Sequence, residues 1–306
     1  MRDTYHVNFS ARSRGKKRLD EDDVQYEKFF ESHEDWDISD DTDGRPDGDR
    51  WSTWDTSPPT ERGPLPYPEW LVTDLGAVDT EMGILKTGKE GDVFLVRRWV
   101  PDTDRSVVMA AKRYRSSDHK MFTRDTGYTE GRRVKESRTM RAIQNKTSFG
   151  KEVLAGQWAI AEFNALKTCY QWGLPVPYPV QITGTEILME FIGEPDGTGA
   201  PRLANARLEG DDLTDVWEQL VEALVTLAQK GYAHGDLSPY NTLVKDGQLY
   251  IIDLPQIVDV VANPRGGEFL ERDAKNVGTW FTQKGLRNAS VAPEDLGALL
   301  RREAGR

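Results

Sequence analysis

Two aspartates and an asparagine, Asp236, Asn241 and Asp253, carry the most specific chemistry in this sequence. Asn241 follows Asp236 by five residues, and Asp253 closes a short apolar strand at 248–252, twelve residues after Asn241. Phosphotransferases use this spacing for a catalytic loop running into a metal-binding strand end. Phosphoryl transfer from ATP needs a carboxylate to orient the acceptor and a divalent cation to neutralise charge spreading over the phosphate oxygens. Asp236 fits the first role. Asn241 offers a hard carbonyl oxygen to Mg²⁺, or to Mn²⁺ in its place, and Asp253 offers a carboxylate fixed at a strand terminus. His234 is expected to brace the loop. Asp, Asn, Gly, Ser and Pro are also what ordinary turns are made of, but a plain turn does not require the strand end at Asp253. The segment reads as that of a kinase or an ATPase.

The elements needed to position such a site alternate along the chain from residue 69 as a two-lobed kinase requires. Residues 83–96 place apolar residues on both sides of a TGKEGD turn, which predicts a hairpin closing over nucleotide phosphates. Thr87, Gly88, Lys89, Glu90 and Val93 are its nucleotide-binding candidates. The turn lacks the Lys-Ser or Lys-Thr of a Walker loop, and alone it would be an ordinary hairpin. Downstream, the apolar run 107–111 ends in Lys112, in the manner of a third-strand lysine that holds the α- and β-phosphates. Its partner is expected on the helix predicted over about 151–172. Glu162 lies beside the apolar side of that helix; Glu152 competes for the role, and Glu162 also fits a solvated position. Gly173, Pro175 and Pro177 stop the helix. Residues 185–193 read as a strand entering a hinge, with backbone groups at Met189, Glu190 and Ile192 facing adenine; a buried strand fits the same residues. Asp211 and Asp212 open a helix whose apolar residues run from Leu213 to Leu227 and deliver the chain into His234 and Asp236.

Composition bounds what surrounds the site. The 306 residues carry a net charge of −11, distributed unevenly. Residues 1–18 hold six Lys or Arg against one acid, residues 19–61 hold sixteen acids against three bases, and the remainder is close to neutral. Residues 1–64 therefore read as a disordered acidic tail and Pro-rich linker, and 65–306 as the kinase domain, with an N-lobe at about 69–189, a hinge at 189–193 and a C-lobe at about 194–306. Trp36, Trp51 and Trp54 interrupt the tail, either as docking residues or as incidental hydrophobes. No apolar run reaches membrane-spanning length and no signal-peptide core is present, so a cytoplasmic protein without membrane contact is expected. The single cysteine, Cys169, falls in a helical pattern. The four histidines lack metal-ligand spacing.

Together these residues resemble the RIO atypical serine/threonine protein kinases, specifically the first branch of that family, over about 69–284. TGKE at 87–90 is similar to its phosphate-loop signature, Lys112 to its nucleotide lysine, and Trp158, Glu162 and Leu166 to its helix pattern. GLPVP at 173–177, MEFIG at 189–193, APRL at 200–203, HGDLSPYN at 234–241 and IID before Gln256 complete the match. The resemblance implies an α+β, two-lobed protein-kinase-like fold of compact type, without a long activation segment; only about fifty residues follow Asp253. It implies ATP and Mg²⁺, autophosphorylation on serine or transient phosphorylation of Asp253, and a setting in small ribosomal subunit maturation. Lys86 stands where the family has serine before TGKE, Asn164 where an arginine often follows the helix glutamate, and Pro255 where the family has serine near the metal strand.

The segment 113–151 carries eleven Lys or Arg and four acids. It fits contact with ribosomal precursor RNA through phosphates, contact with the acidic tail, or a solvated face. Two other functions share part of the pattern. A small-molecule phosphotransferase of the aminoglycoside or choline kinase type uses HGDL with a downstream Asn, but lacks TGKE, GLPVP and MEFIG. A slow nucleotide-dependent assembly switch would keep the same catalytic set.

Overall fold

The computed structural model describes residues 49–88, 91–115, 148–254, 257–287 and 289–305. The acidic tail with Trp36, most of the basic segment, Lys89, Glu90, Pro255 and Gln256 lie outside them, and all described residues fall in one structural unit. Within that unit the chain forms β1 (Asp49–Trp51), β2 (Val78–Thr87), β3 (Gly91–Trp99) and β4 (Ser106–Tyr114). Helix α1 (Ser148–Gln171) follows, then β5 (Pro179–Thr183) and β6 (Glu186–Glu190). The six strands make one antiparallel sheet in the order β1-β2-β3-β4-β6-β5.

Strand residues alternate between two faces. From β4, Met109 and Ala111 join Val96, Leu188 and Tyr178 on one side of the sheet. Tyr114 and Ile187 pack on the other, against Ala155, Ala159 and Phe163 of α1. Lys112 pairs directly with Ile187, which puts it on the α1 face. The second lobe is built by α2 (Gly210–Gln229), β7 (Tyr232–Ala233), β8 (Thr242–Lys245), β9 (Gln248–Ile251), β10 (Val258–Asp259), α3 (Gly266–Gln283) and α4 (Leu296–Glu303). Its core joins Trp217 and Leu220 of α2 to Val277 and Phe281 of α3, with the Trp217 and Phe281 rings 4.9 Å apart. Asp211 and Asp212 occupy the first turn of α2, where acids complement the helix dipole. This is the α+β, two-lobed architecture expected from the sequence.

The Pro-rich linker expected at the end of residues 1–64 folds otherwise. The chain leaves β1 at one edge of the sheet, and Arg62 then bridges Gln181 of β5 at the other. Along this strap Trp54 is buried among Val96, Met109 and Leu188 and meets the Tyr67 ring edge-on at 5.1 Å. The Arg62 guanidinium lies 4.9 Å from the centre of the Trp54 ring, and the Tyr178 hydroxyl donates to the Pro64 carbonyl at 2.9 Å. A buried network fixes the strap further: Arg98 holds Asp79 at 2.7 and 2.9 Å and Gln181 at 3.0 Å, and Gln181 donates to the Thr53 hydroxyl at 2.6 Å. A large aromatic ring buries roughly 150–250 Å², which at about 25 cal/mol per Å² contributes about 4–6 kcal/mol before ordering costs. Average composition hides that contribution, because one tryptophan supplies it. Trp51, by contrast, stays 44% exposed.

Candidate active site

Lys112 leaves the α1 face of β4 and donates from Nζ to Glu162 Oε1 at 2.6 Å and to Asp253 Oδ1 at 2.8 Å. Glu162 is 2% exposed on α1, and its other oxygen accepts from the Tyr114 hydroxyl. The choice between Glu162 and Glu152 falls to Glu162, and its place is buried, not solvated. Burial alone would push the Lys112 ammonium toward neutrality; the carboxylates of Glu162 and Asp253 outweigh it and hold the lysine protonated, above its ordinary range. Burial likewise favours the neutral form of Asp253, but Lys112, with His234 and Lys86 adding to it, holds that carboxyl below its ordinary range.

Asp253 sits in the left-handed region at φ +66°, a conformation that few residues other than glycine adopt outside strained or functional positions. The β8–β9 hairpin puts it there. Thr242 pairs with Ile251, and the Ile252 amide donates to the Asn241 carbonyl at 2.9 Å, so Asn241 and Asp253 flank the same end of the hairpin. The Asn241 side-chain amide donates to the Asp236 carbonyl at 2.9 Å, which leaves its Oδ1 available and braces the loop. Asp236 itself is exposed.

His234 is 1% exposed and contacts the Ile252 carbonyl at 3.3 Å through Nε2, while the Asp236 amide approaches Nδ1 at 3.4 Å. The bracing expected of it is present, but the stronger support comes from Asp273 on α3, which accepts from the Gly235 and Leu237 amides at 2.8 and 3.0 Å. Asn276, one turn on, donates to the Leu237 carbonyl at 3.0 Å. Burial pushes the Asp273 carboxyl above its ordinary range, partly countered by His234 and the two amides. Sequence reasoning missed Asp273 and Asn276. A signal existed: Asp273 lies on the apolar stripe of Leu270, Ala274, Val277 and Phe281, and a carboxylate there needs buried donors.

The hairpin and hinge candidates divide. Thr87 pairs with Asp92 and Val93 pairs with Lys112, so the strands form a hairpin. The Gly88 amide is committed to the Gly91 carbonyl at 2.9 Å; Lys89 and Glu90 lie outside the described residues. Gly91 is required by contact: a Cβ there would stand 2.2 Å from the Arg113 carbonyl oxygen. At the hinge, Met189 pairs with Ala110, the Glu190 amide donates to Tyr178, and the Ile192 carbonyl accepts from Ala200. The Ile192 amide makes no backbone hydrogen bond among the described residues.

Among the described residues no three His, Cys, Asp or Glu side chains cluster to cage a metal. The oxygen donors of Asn241 and Asp253 instead fit a hard cation that shares its ligands with substrate phosphates, as Mg²⁺ does. Against protein families, residues 93–294 match the RIO domain. The chain belongs to the RIO domain family. This RIO domain is 34% identical over 215 residues to the RIO-type serine/threonine-protein kinase Rio1 of Haloferax volcanii, covering 70% of this chain and 67% of that protein. It is 33% identical over 216 residues to the serine/threonine-protein kinase RIO1 of Caenorhabditis elegans, covering 68% and 38%. To RIO1 of Saccharomyces cerevisiae it is 35% identical over 140 residues, covering 45% and 28%. The chain thus spans well under half the length of the worm and yeast relatives. No helix among its described residues is long and apolar enough to cross a membrane.

Proposed function

We propose that this RIO domain is an ATP-dependent serine/threonine protein kinase, with ATP hydrolysis as a second outcome at the same site. The observation that carries this reading is Lys112 held between Glu162 and Asp253, with Asp236 exposed on a loop braced by Asn241. Lys112 binds phosphate oxygens and orients the triphosphate. Asp236 accepts the proton of the acceptor hydroxyl as its oxygen bonds to the γ-phosphorus and the bond to the β,γ-bridging oxygen breaks, leaving ADP. Asn241 Oδ1 and the Asp253 carboxylate would hold Mg²⁺, which when bound neutralises the β- and γ-phosphate charge. The Ile192 amide and neighbouring hinge groups at Met189 and Glu190 receive the adenine.

The unit that carries this activity begins at or before residue 49, because the strap from Asp49 is part of the N-lobe sheet. Contact with precursor RNA belongs to the same proposal and falls to basic residues outside the described ones. Arg113 is already paired with Glu186 and Arg115 with Asp92.

Purified protein with γ-labelled ATP and Mg²⁺ tests the assignment. Acid-stable label on serine, absent in Asp236→Ala, marks a protein kinase. Repeated phosphate release with hydroxylamine-labile label, lost in Asp253→Ala, marks hydrolysis through an aspartyl phosphate. Neither label nor release would overturn the assignment.

A further inference from the structure

The phosphate hairpin begins with a cation that the proposed chemistry leaves unused. Lys86 of β2 pairs with Val93 of β3, and Val93 pairs with Lys112 of β4. Directly opposed residues of antiparallel neighbours project from the same face of a sheet. Lys86, Val93 and Lys112 therefore form one row, and from that row Lys112 reaches Asp253 across the cleft at 2.8 Å. Lys86 stands at the exposed end of the row. Among the described residues its ammonium makes no ion pair.

A second such cation lies on the other bank. Arg202 is anchored through its backbone bridge to Leu243 of β8, two residues beyond Asn241, and its guanidinium also makes no ion pair among the described residues. Although Lys86 is exposed overall, partial desolvation first and then the Arg202 charge hold its ammonium below the ordinary lysine range, with Asp253 opposing and Lys112 adding to the repulsion. Glu162 is already matched by Lys112 and Tyr114, and Asp253 by Lys112, so Lys86 and Arg202 have no carboxylate partner of their own among the described residues. Like charges held together in this way disfavour one another until an anion comes between them.

We propose that Lys86 and Arg202 are nucleotide-binding residues of this chain that grip the polyphosphate together with Lys112, Lys86 from the same sheet face and Arg202 from beside β8, and set a preference for the triphosphate over the nucleoside. The inference rests on the nucleotide cleft proposed above and adds two ligands to it. Both are cationic, long and flexible, and each brings donors suited to phosphate oxygens: three from the ammonium, a planar fork from the guanidinium.

Titration calorimetry on the full chain tests this with MgATP and with adenosine. Lys86→Gln and Arg202→Gln should each weaken MgATP about tenfold, equivalent to about 1.4 kcal/mol, leave adenosine affinity unchanged, and lessen the fall of MgATP affinity with added salt. Lys86→Arg should restore most of the loss. MgATP affinity in Lys86→Gln within about twofold of the parent would overturn the proposal, and so would a parallel loss of adenosine binding, which would mark a disturbed hairpin. If the unaltered chain binds neither ligand, the nucleotide reading fails and the inference falls with it; if it binds both and only the Lys86 effect is absent, that reading stands.

Discussion

Lys112 and Glu162, fifty residues apart in sequence, meet with Nζ and Oε1 separated by 2.6 Å, and this contact ties the third long strand of the N-lobe to its helix. Glu162→Gln keeps a partner for the Tyr114 hydroxyl but removes the charge that offsets the burial of Lys112. Turnover should fall about tenfold, about 1.4 kcal/mol in the barrier, and the protein should be less stable. The pH dependence has a definite sign. Lys112 titrates above its ordinary value of 10.5 in the folded protein, so the stabilisation from its ion pairs is complete below the unfolded value and is lost as pH rises through the folded one. Thermal unfolding of parent and variant should differ by a constant gap from about pH 6 to about pH 10, narrowing above. A gap that closes near neutrality would contradict the assignment.

Asp236 and Asp253 should separate by experiment into transfer and binding. Asp236→Ala should lower phosphoryl transfer by at least ~100-fold, about 2.7 kcal/mol, with ATP affinity nearly unchanged. Asp253→Ala should weaken nucleotide binding about tenfold or more in the presence of Mg²⁺ and much less without it. Calorimetry with and without the metal, beside the turnover assay, checks both. Equal effects of the two substitutions on binding would contradict the division of roles.

Asp273 never needs to touch nucleotide to matter. Its carboxylate is the acceptor for the buried amides of Gly235 and Leu237, on either side of Asp236. Asp273→Ala leaves both donors unsatisfied, at about 1–3 kcal/mol each, and should lower the melting temperature together with turnover. Asp273→Asn retains one acceptor oxygen and should recover part of the stability. Unfolding curves at matched protein concentration give the comparison. A wild-type melting temperature in Asp273→Ala would remove this residue from the loop's support.

Cys169 is fully buried on α1, and burial pushes its thiol up to about 12. Alkylation proceeds through the thiolate, so iodoacetamide should leave the native protein unlabelled at neutral pH and label it on unfolding. Labelling of the native protein at the rate of a free thiol would show that α1 opens locally.

The residues of the candidate site could be brought together from the sequence because their information is local. Asp236, Asn241 and Asp253 lie within eighteen residues, and a loop, a hairpin and a strand end suffice to bring them together. Lys112 could be placed on a strand end from the apolar run before it, and Glu162 on a helix beside its apolar side. Which glutamate met Lys112 was open in the sequence, and packing settled it: the side of α1 that carries Ala155, Ala159 and Phe163 buries Glu162 beside Lys112.

What the sequence determined by itself, then, was the set of short-range chemical groups and the order of elements carrying them, because spacing and apolar periodicity act over a few turns of chain. Tertiary structure alone decided the rest. It folded residues 49–68 onto the sheet through the buried ring of Trp54, where composition pointed to a linker. It brought Asp273, thirty-six residues beyond Leu237, under the catalytic loop, and it aligned Lys86 with Lys112 through strand register. Each depends on a contact between distant segments whose energy comes from burial and from satisfying buried polar groups, and neither property belongs to any one stretch of chain.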